Sequence, residues 1–518
     1  MKHLLTAFIG ILSLLLVLST STLHAQVRTK RFGQPQDLSA FGIASGSKQG
    51  TPTLSLSAID AAPLLLEDEA EAKLGRPFRF GLNRAVDVDI IGAAAQTEQN
   101  GTRTYSYQIT ADGAFSLNLI FDRFRLKPGS RLFLYNSDRT MLIGPITDAQ
   151  NPKSGGNPAR SEFWTDLVQG STLLIDLQEP IAGNGTSELH LSSVIHAYKN
   201  LFPNTSKANG DAGLCHPNMV CHPTFQFEGD GVAMILTSGG SRACTGSMVN
   251  DMRQSFRSFF LTANHCVSGD TDNWLIRFNY QSTTCTPVAD DFDVMTLNGT
   301  TFRAGSSNSD FTLVELTQQV PPDVNTTYNG WNRGAATTSN NFGIHHPKGD
   351  VKKISFTNAD TQLDGWNGSG STHLTSFWST SGVTDPGSSG SPLFDGNRRI
   401  VGQLHGGPSS CIATGNDLRD FYGRVFTSWT GGGTSATRLS NWLDPDNTTN
   451  TTTNGAKPLV SGPAAFTTAS SFSLNTGTSS ITAWTVTWGA GIVSPTSGTG
   501  NTANLTALSN GTSAASIK

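Results

Sequence analysis

The sequence predicts an all-β protein of several domains, on three observations. Short apolar runs rich in Val, Ile, Phe, Tyr and Thr recur along the chain between turn residues. Charged residues make up only 14% and glycines number 54, a balance that suits many strands and turns rather than helical bundles or coiled coils. A length of 518 residues exceeds one ordinary domain and suggests about three. The formal net charge of −4 gives no reason to expect a nucleic-acid partner.

The N-terminus predicts export. Met1-Lys2-His3 is basic, Leu4 to Leu18 is almost continuously apolar, and small or polar residues lead to Leu23-His24-Ala25. This is the pattern of a secretory signal peptide over residues 1–25. The apolar run is short for a bilayer, and no later segment is long enough to span one, so a soluble, monomeric, secreted product is expected. Retention at the cell surface is left open.

Residues 26–207 hold no cysteine and carry strand candidates at Thr104 to Ile109, Phe115 to Phe121, Arg131 to Tyr135 and Thr172 to Leu177. Turns such as Lys127-Pro128-Gly129 and Asn136-Ser137-Asp138 separate them. We read a β-rich pro-region, with an accessory binding module as the alternative. The polar stretch Asn204 to Gly213 follows and contains Lys207, an exposed place for a chain cut.

All six cysteines (Cys215, Cys221, Cys244, Cys266, Cys285 and Cys411) lie in the middle of the chain. An even count in an exported protein predicts disulfides, and spacing alone leaves about fifteen pairings open. No C-x-x-C pair is present, and no acid or cysteine clusters beside His345-His346-Pro347. Neither a metal nor another cofactor is therefore expected, and that triplet reads as structural. Strand candidates at Val232 to Leu236, Phe259 to Thr262, Trp274 to Tyr280, Phe311 to Leu316 and Ile400 to Leu404 predict an antiparallel barrel or sandwich over residues 208–443. Residues 444–458 read as a linker. Residues 459–518, with the strand-like Ala483 to Trp488, read as an immunoglobulin-like β module, short enough to be incomplete.

Three residues carry the predicted chemistry. A serine hydroxyl needs a positioned base, and the base needs an orienting group. Ser389 lies in the sharp Gly387-Ser388-Ser389-Gly390-Ser391-Pro392 segment, where a tight turn can also aim backbone N–H groups at one point. His265 ends a strand candidate beside Cys266, and Asp310 opens an apolar one. The chain order His265, Asp310, Ser389 separates double-barrel serine proteases from subtilisins and α/β-hydrolases.

At these positions the chain resembles the bacterial lysyl endopeptidases, a secreted branch of the trypsin-like fold. The resemblance rests on Cys244-Thr245-Gly246-Ser247, Phe260 to Cys266, Ser309-Asp310-Phe311-Thr312, Thr384 to Pro392, Gly402 to Cys411 and Tyr422 to Trp429, and covers about residues 212–443. It implies a trypsin-like double antiparallel β-barrel and a zymogen that cleaves protein or peptide substrates after lysine. His265, Asp310 and Ser389 would form the triad, and the N–H groups of Gly387 and Ser389 the oxyanion hole. It also implies the disulfides Cys215–Cys411, Cys221–Cys285 and Cys244–Cys266.

The lysine-reading acid departs from trypsin. The position six residues before the nucleophile, where trypsin carries its acid, is Val383. Asp385 and Asp420 are the candidates, and Asp420 matches the lysine-reading aspartate of the resembled family. A single carboxylate in a narrow pocket suits a point-like ammonium better than a planar guanidinium. His405 and Trp366 match a histidine and a tryptophan that pack beside that family's triad, with Trp378 competing for the second place. A broader Lys/Arg preference and a non-catalytic adhesin on the same scaffold are the alternative readings.

Overall fold

The computed structural model describes residues 27–43, 50–152, 162–203 and 212–461, apart from positions 270, 287, 290, 358, 367–369 and 380, together with short strands between 470 and 517. Residues 1–25, read as a signal peptide, and Lys207 lie outside the described residues. Of the C-terminal module, only strands such as Ser470–Asn475, Trp484–Trp488 and Thr502–Ala507 are described.

The N-terminal part is a β-sandwich. Apolar residues bury Thr102–Ala111 mainly on one face, and Ser116–Arg125, Thr172–Pro180 and Glu188–Ala197 over stretches of both faces. Thr172–Pro180 pairs antiparallel with Thr102–Ala111 in one sheet, and Glu188–Ala197 with Ser116–Arg125 in another. Ile109, Leu119, Phe121, Ile175, Leu189 and Leu191 pack together in the core they enclose. The helix Ala61–Lys73 was not foreseen. Asp60 caps it by accepting from the Ala62 N–H at 3.1 Å, and its strong helix formers carry it onward.

The cysteine-bearing part contains two antiparallel sheets. The first runs Thr300–Ser306, Phe311–Leu316, Phe259–Ala263, Arg242–Met248, Val232–Thr237, Leu275–Phe278, Asp291–Asn298. The second runs Lys353–Phe356, Phe342–His345, Pro392–Phe394, Ile400–Gly406, Arg419–Arg424, His373–Phe377, Gln362–Asp364. Hydrogen bonding does not close either into a ring among the described residues. Leu261, Phe311 and Leu313 of the first meet Phe342, Ile344, Phe394 and Ile400 of the second in a shared core. The all-β class predicted from the sequence holds.

The N-terminal part is joined to the first of these sheets. Strand Val27–Phe32 pairs on one side with Asp291–Asn298 and on the other with Met141–Thr147, so one 15-stranded sheet crosses the boundary. Behind it Arg277 Nε lies 2.8 Å from Asp166 Oδ1, both side chains fully buried. Thr296 Oγ1 donates to the other Asp166 oxygen at 3.1 Å, and Asn298 Nδ2 donates to the Trp164 carbonyl at 3.0 Å.

Candidate active site

His265 sits in the single turn Asn264–Cys266 at the end of strand Phe259–Ala263. The Cys244–Cys266 disulfide pins that turn to the neighbouring strand Arg242–Met248. Asp310 stands just before strand Phe311–Leu316 with φ 51°, a left-handed conformation that Asp tolerates better than most residues. That bend turns its carboxylate onto the histidine. Oδ1 accepts the His265 backbone N–H at 2.9 Å, and Oδ2 faces Nδ1 at 2.8 Å. The pair of contacts fixes ring position and tautomer together, placing the proton on Nδ1 and leaving Nε2 as the basic nitrogen. That Nε2 is buried with no hydrogen-bond partner among the described residues.

Ser389 is held on the opposite sheet, in the loop leading to strand Pro392–Phe394. Its carbonyl accepts the Thr245 N–H at 2.8 Å and lies 3.8 Å from Cys266 Sγ, which brings it beside the His265 turn. Two glycines make that approach sterically feasible. Gly387 has φ 100°, and a Cβ there would come 2.8 Å from the His346 carbonyl; a Cβ on Gly390 would come 2.1 Å from Thr262 Oγ1. Among the described residues no acceptor is recorded for the Gly387 and Ser389 N–H groups, whereas Ser388, Gly390 and Ser391 donate to Asp385, Leu404 and Ser388 carbonyls. Spare, fixed donors of this kind are what a developing oxyanion requires.

The His345-His346-Pro347 triplet braces this loop from beneath. His345 Nδ1 lies 2.7 Å from Ser388 Oγ and its Nε2 2.9 Å from Ser355 Oγ, which donates to the Val383 carbonyl. Burial holds both histidines well below the usual imidazole range, so they serve as neutral hydrogen-bonding groups.

Asp420, in strand Arg419–Arg424, is fully buried. Its Oδ2 accepts from Trp378 Nε1 at 2.5 Å, Thr384 Oγ1 at 2.7 Å and Ser409 Oγ at 2.6 Å. Its Oδ1 has no partner among the described residues. Burial, opposed by those three hydrogen bonds and by the Ser409 backbone N–H, pushes the carboxyl up to about 6. Gly407 packs against the bare oxygen, where a Cβ would stand only 2.3 Å away. Asp385 is engaged elsewhere, 2.8 Å from His216 Nε2 and 3.4 Å from Lys348 Nζ. Cys215–Cys411 ties the segment beside His216 to the loop after Gly407, and Cys221–Cys285 completes the set of disulfides.

His405 and Trp366 meet behind His265. Their rings stack with centroids 3.6 Å apart, His405 stacks 5.5 Å from His265, and His405 Nε2 lies 3.8 Å from Asp310 Oδ2. Desolvation lowers His405 to about 4, with Asp310 opposing. Donor atoms of His265, Asp310 and His405 fall within 4.8 Å of one another, a spacing a cation could use. Both Asp310 oxygens already serve His265, which suits an acid–base relay.

Sequence reasoning missed the groups that furnish the acid's surroundings. Trp378, entertained only as a rival to Trp366, reaches Asp420 instead, while Thr384, Ser409 and Gly407 fall within segments that carry the resemblance but show no local mark of this role. His373, which packs behind His405, also went unread. Each acts through a contact between segments distant in sequence.

A family model described as the lysyl endopeptidase C-terminal domain matches residues 209–423. The lysyl endopeptidase of Pseudomonas aeruginosa is 27% identical over 385 residues, which cover 70% of this chain and 80% of that protein. Two solved structures align more weakly. Protease Anisep from Arthrobacter nicotinovorans shows 19% identity and a TM-score of 0.29, over 38% of this chain and 90% of its own. A Glu endopeptidase in complex with MPD shows 17% identity and a TM-score of 0.27, over 38% and 84%. Residues 209–423 match the lysyl endopeptidase C-terminal domain family, and the protein is a serine endopeptidase.

Proposed function

We propose that this endopeptidase is secreted as a zymogen and cleaves on the C-terminal side of lysine. The observation that carries the specificity is the bare Oδ1 of Asp420, a buried carboxylate oxygen beside Gly407 without a protein partner among the described residues. A buried acid in that condition is stabilised by an incoming cation, and the substrate's ammonium supplies one. Three protein donors on the other oxygen hold the acid in place. The spare Oδ1 presents a single contact rather than the fork a guanidinium prefers.

In this reading Ser389 Oγ attacks the lysine's own carbonyl carbon, and His265 Nε2 takes the hydroxyl proton. Asp310 holds the resulting imidazolium. The carbonyl oxygen gains its charge facing the Gly387 and Ser389 N–H groups. His265 then passes the proton to the leaving amine, and water repeats the sequence on the acyl-enzyme.

Residues 26–207 act as the pro-region, removed by a cut after Lys207. Their docking through Val27–Phe32 and the Asp166–Arg277 contact supports a role in forming the protease domain. Cleaving a denatured protein and mapping the new C-termini tests the specificity. Lysine at nearly every new terminus is expected; arginine in equal measure would establish the broader preference. Ser389→Ala protein that still cuts at the wild-type rate would overturn the mechanism, and failure of wild-type Ser389 to react with an active-site phosphonate would favour a non-catalytic binding protein. An active enzyme whose N-terminus is not Ala208 would refute the proposed cut.

A further inference from the structure

We infer that His373 is a positioning residue for the catalytic carboxylate, acting through His405; this rests on reading Asp310 and His265 as triad members. His373 opens strand His373–Phe377 and is fully buried. Both its ring nitrogens are engaged: Nδ1 lies 2.8 Å from Thr372 Oγ1, and Nε2 lies 3.0 Å from His405 Nδ1. His405 in turn places Nε2 3.8 Å from Asp310 Oδ2. Four side chains therefore run in series from Thr372 to the carboxylate that holds His265.

Only one arrangement of protons satisfies every contact in that series. Asp310 is the sole anion in it, so the nitrogen facing it carries a proton, and His405 is protonated on Nε2. His405 Nδ1 then presents a lone pair, which His373 Nε2–H fills. His373 Nδ1 presents a lone pair in turn, and the Thr372 hydroxyl fills that. The reverse polarity would aim a nitrogen lone pair at the carboxylate across 3.8 Å. Burial keeps both histidines neutral, so neither ends the series by taking a second proton near neutral pH. Trp366 covers one face of His405 but makes no demand on which nitrogen holds the proton. His373 supplies the N–H that His405 Nδ1 accepts in that arrangement.

The consequence is electrostatic. As His265 becomes an imidazolium in the transition state, Asp310 must remain an anion facing it. A fixed N–H dipole behind the carboxylate favours that charge without moving, and a ring free to flip would not. His373 is fully buried with both ring nitrogens engaged within the series, so the effect is expected on kcat rather than KM.

The test compares His373→Phe, His373→Gln and the wild type on one lysyl peptide. His373→Phe removes the donor and leaves His405 Nδ1 unpartnered; kcat is expected to fall about 3- to 10-fold, the worth of one buried hydrogen bond, with KM unchanged. His373→Gln keeps an N–H near the same place and is expected to recover most of the loss. Stoichiometric phosphonate labelling of all three proteins keeps the outcomes separable. Full labelling with an unchanged kcat in His373→Phe overturns this inference alone, whereas a wild type that does not label overturns the triad reading beneath it. A fall in kcat that Gln does not rescue, or one shared equally by KM, shows a merely structural role and also overturns the inference.

Discussion

Replacing Asp420 with asparagine isolates the charge from the shape. Asp420→Asn keeps a carbonyl oxygen for Trp378, Thr384 and Ser409, whose three hydrogen bonds hold the side chain from one side. It removes the anion that an ammonium would neutralise. Removing one partner from a desolvated, hydrogen-bonded charge pair costs about 2–5 kcal/mol, and full burial of Asp420 places it in the middle of that range. At about 1.4 kcal/mol per decade, kcat/KM for a lysyl peptide should fall about 10²- to 10³-fold. The assay is kcat/KM on three peptides that differ only before the scissile bond: lysine, arginine and norleucine. The norleucine rate should barely change, which separates lost recognition from lost folding. A second readout is pH. Burial raises the Asp420 carboxyl to about 6, so it is protonated, and blind to an ammonium, as pH falls through that value. KM for the lysyl peptide should therefore rise on the acid side, while KM for norleucine stays flat. A lysine-to-norleucine ratio that survives the substitution would refute the assignment of Asp420.

Two further predictions follow from packing. Gly407→Ala would set a methyl carbon 2.3 Å from Asp420 Oδ1, so lysyl kcat/KM should drop by about one to two decades, as overpacking of 1–3 kcal/mol implies, with phosphonate labelling of Ser389 retained. Asp166→Ala leaves Arg277 as a buried charge without its anion, and should cost the full-length chain about 3–5 kcal/mol. Urea unfolding in a Ser389→Ala background, which prevents self-digestion, measures it; a midpoint unchanged from the parent would show that the contact across the boundary contributes nothing.

The strands were legible because a buried strand reads as a short apolar run that turn residues must break. Phe311–Leu316 was predicted with the same bounds the structure has, and Val232 to Leu236 and Ile400 to Leu404 fall within the observed strands. Helix Ala61–Lys73 was overlooked because it was sought among strand signals, although Asp60 and the early Pro63 mark a helix start. The role of Val27–Phe32 was invisible for a different reason. Its partners are supplied by Asp291–Asn298 and Met141–Thr147, and register between segments so far apart leaves no local trace.

For the site, the sequence by itself determined which groups could act: a serine between glycines, a histidine at a strand end, an aspartate opening the next strand, and the absence of an acid at Val383. Those are local facts of composition, order and backbone freedom. Tertiary structure decided which oxygens and nitrogens are spent and which are spare. Packing of Trp378, Thr384 and Ser409 onto one oxygen of Asp420 leaves the other bare, His216 and Lys348 take Asp385 out of contention, and Thr372, His373 and His405 line up behind Asp310. A buried polar atom acquires its function from the partners it has and the one it lacks, and those partners are set by how the two sheets fold against each other.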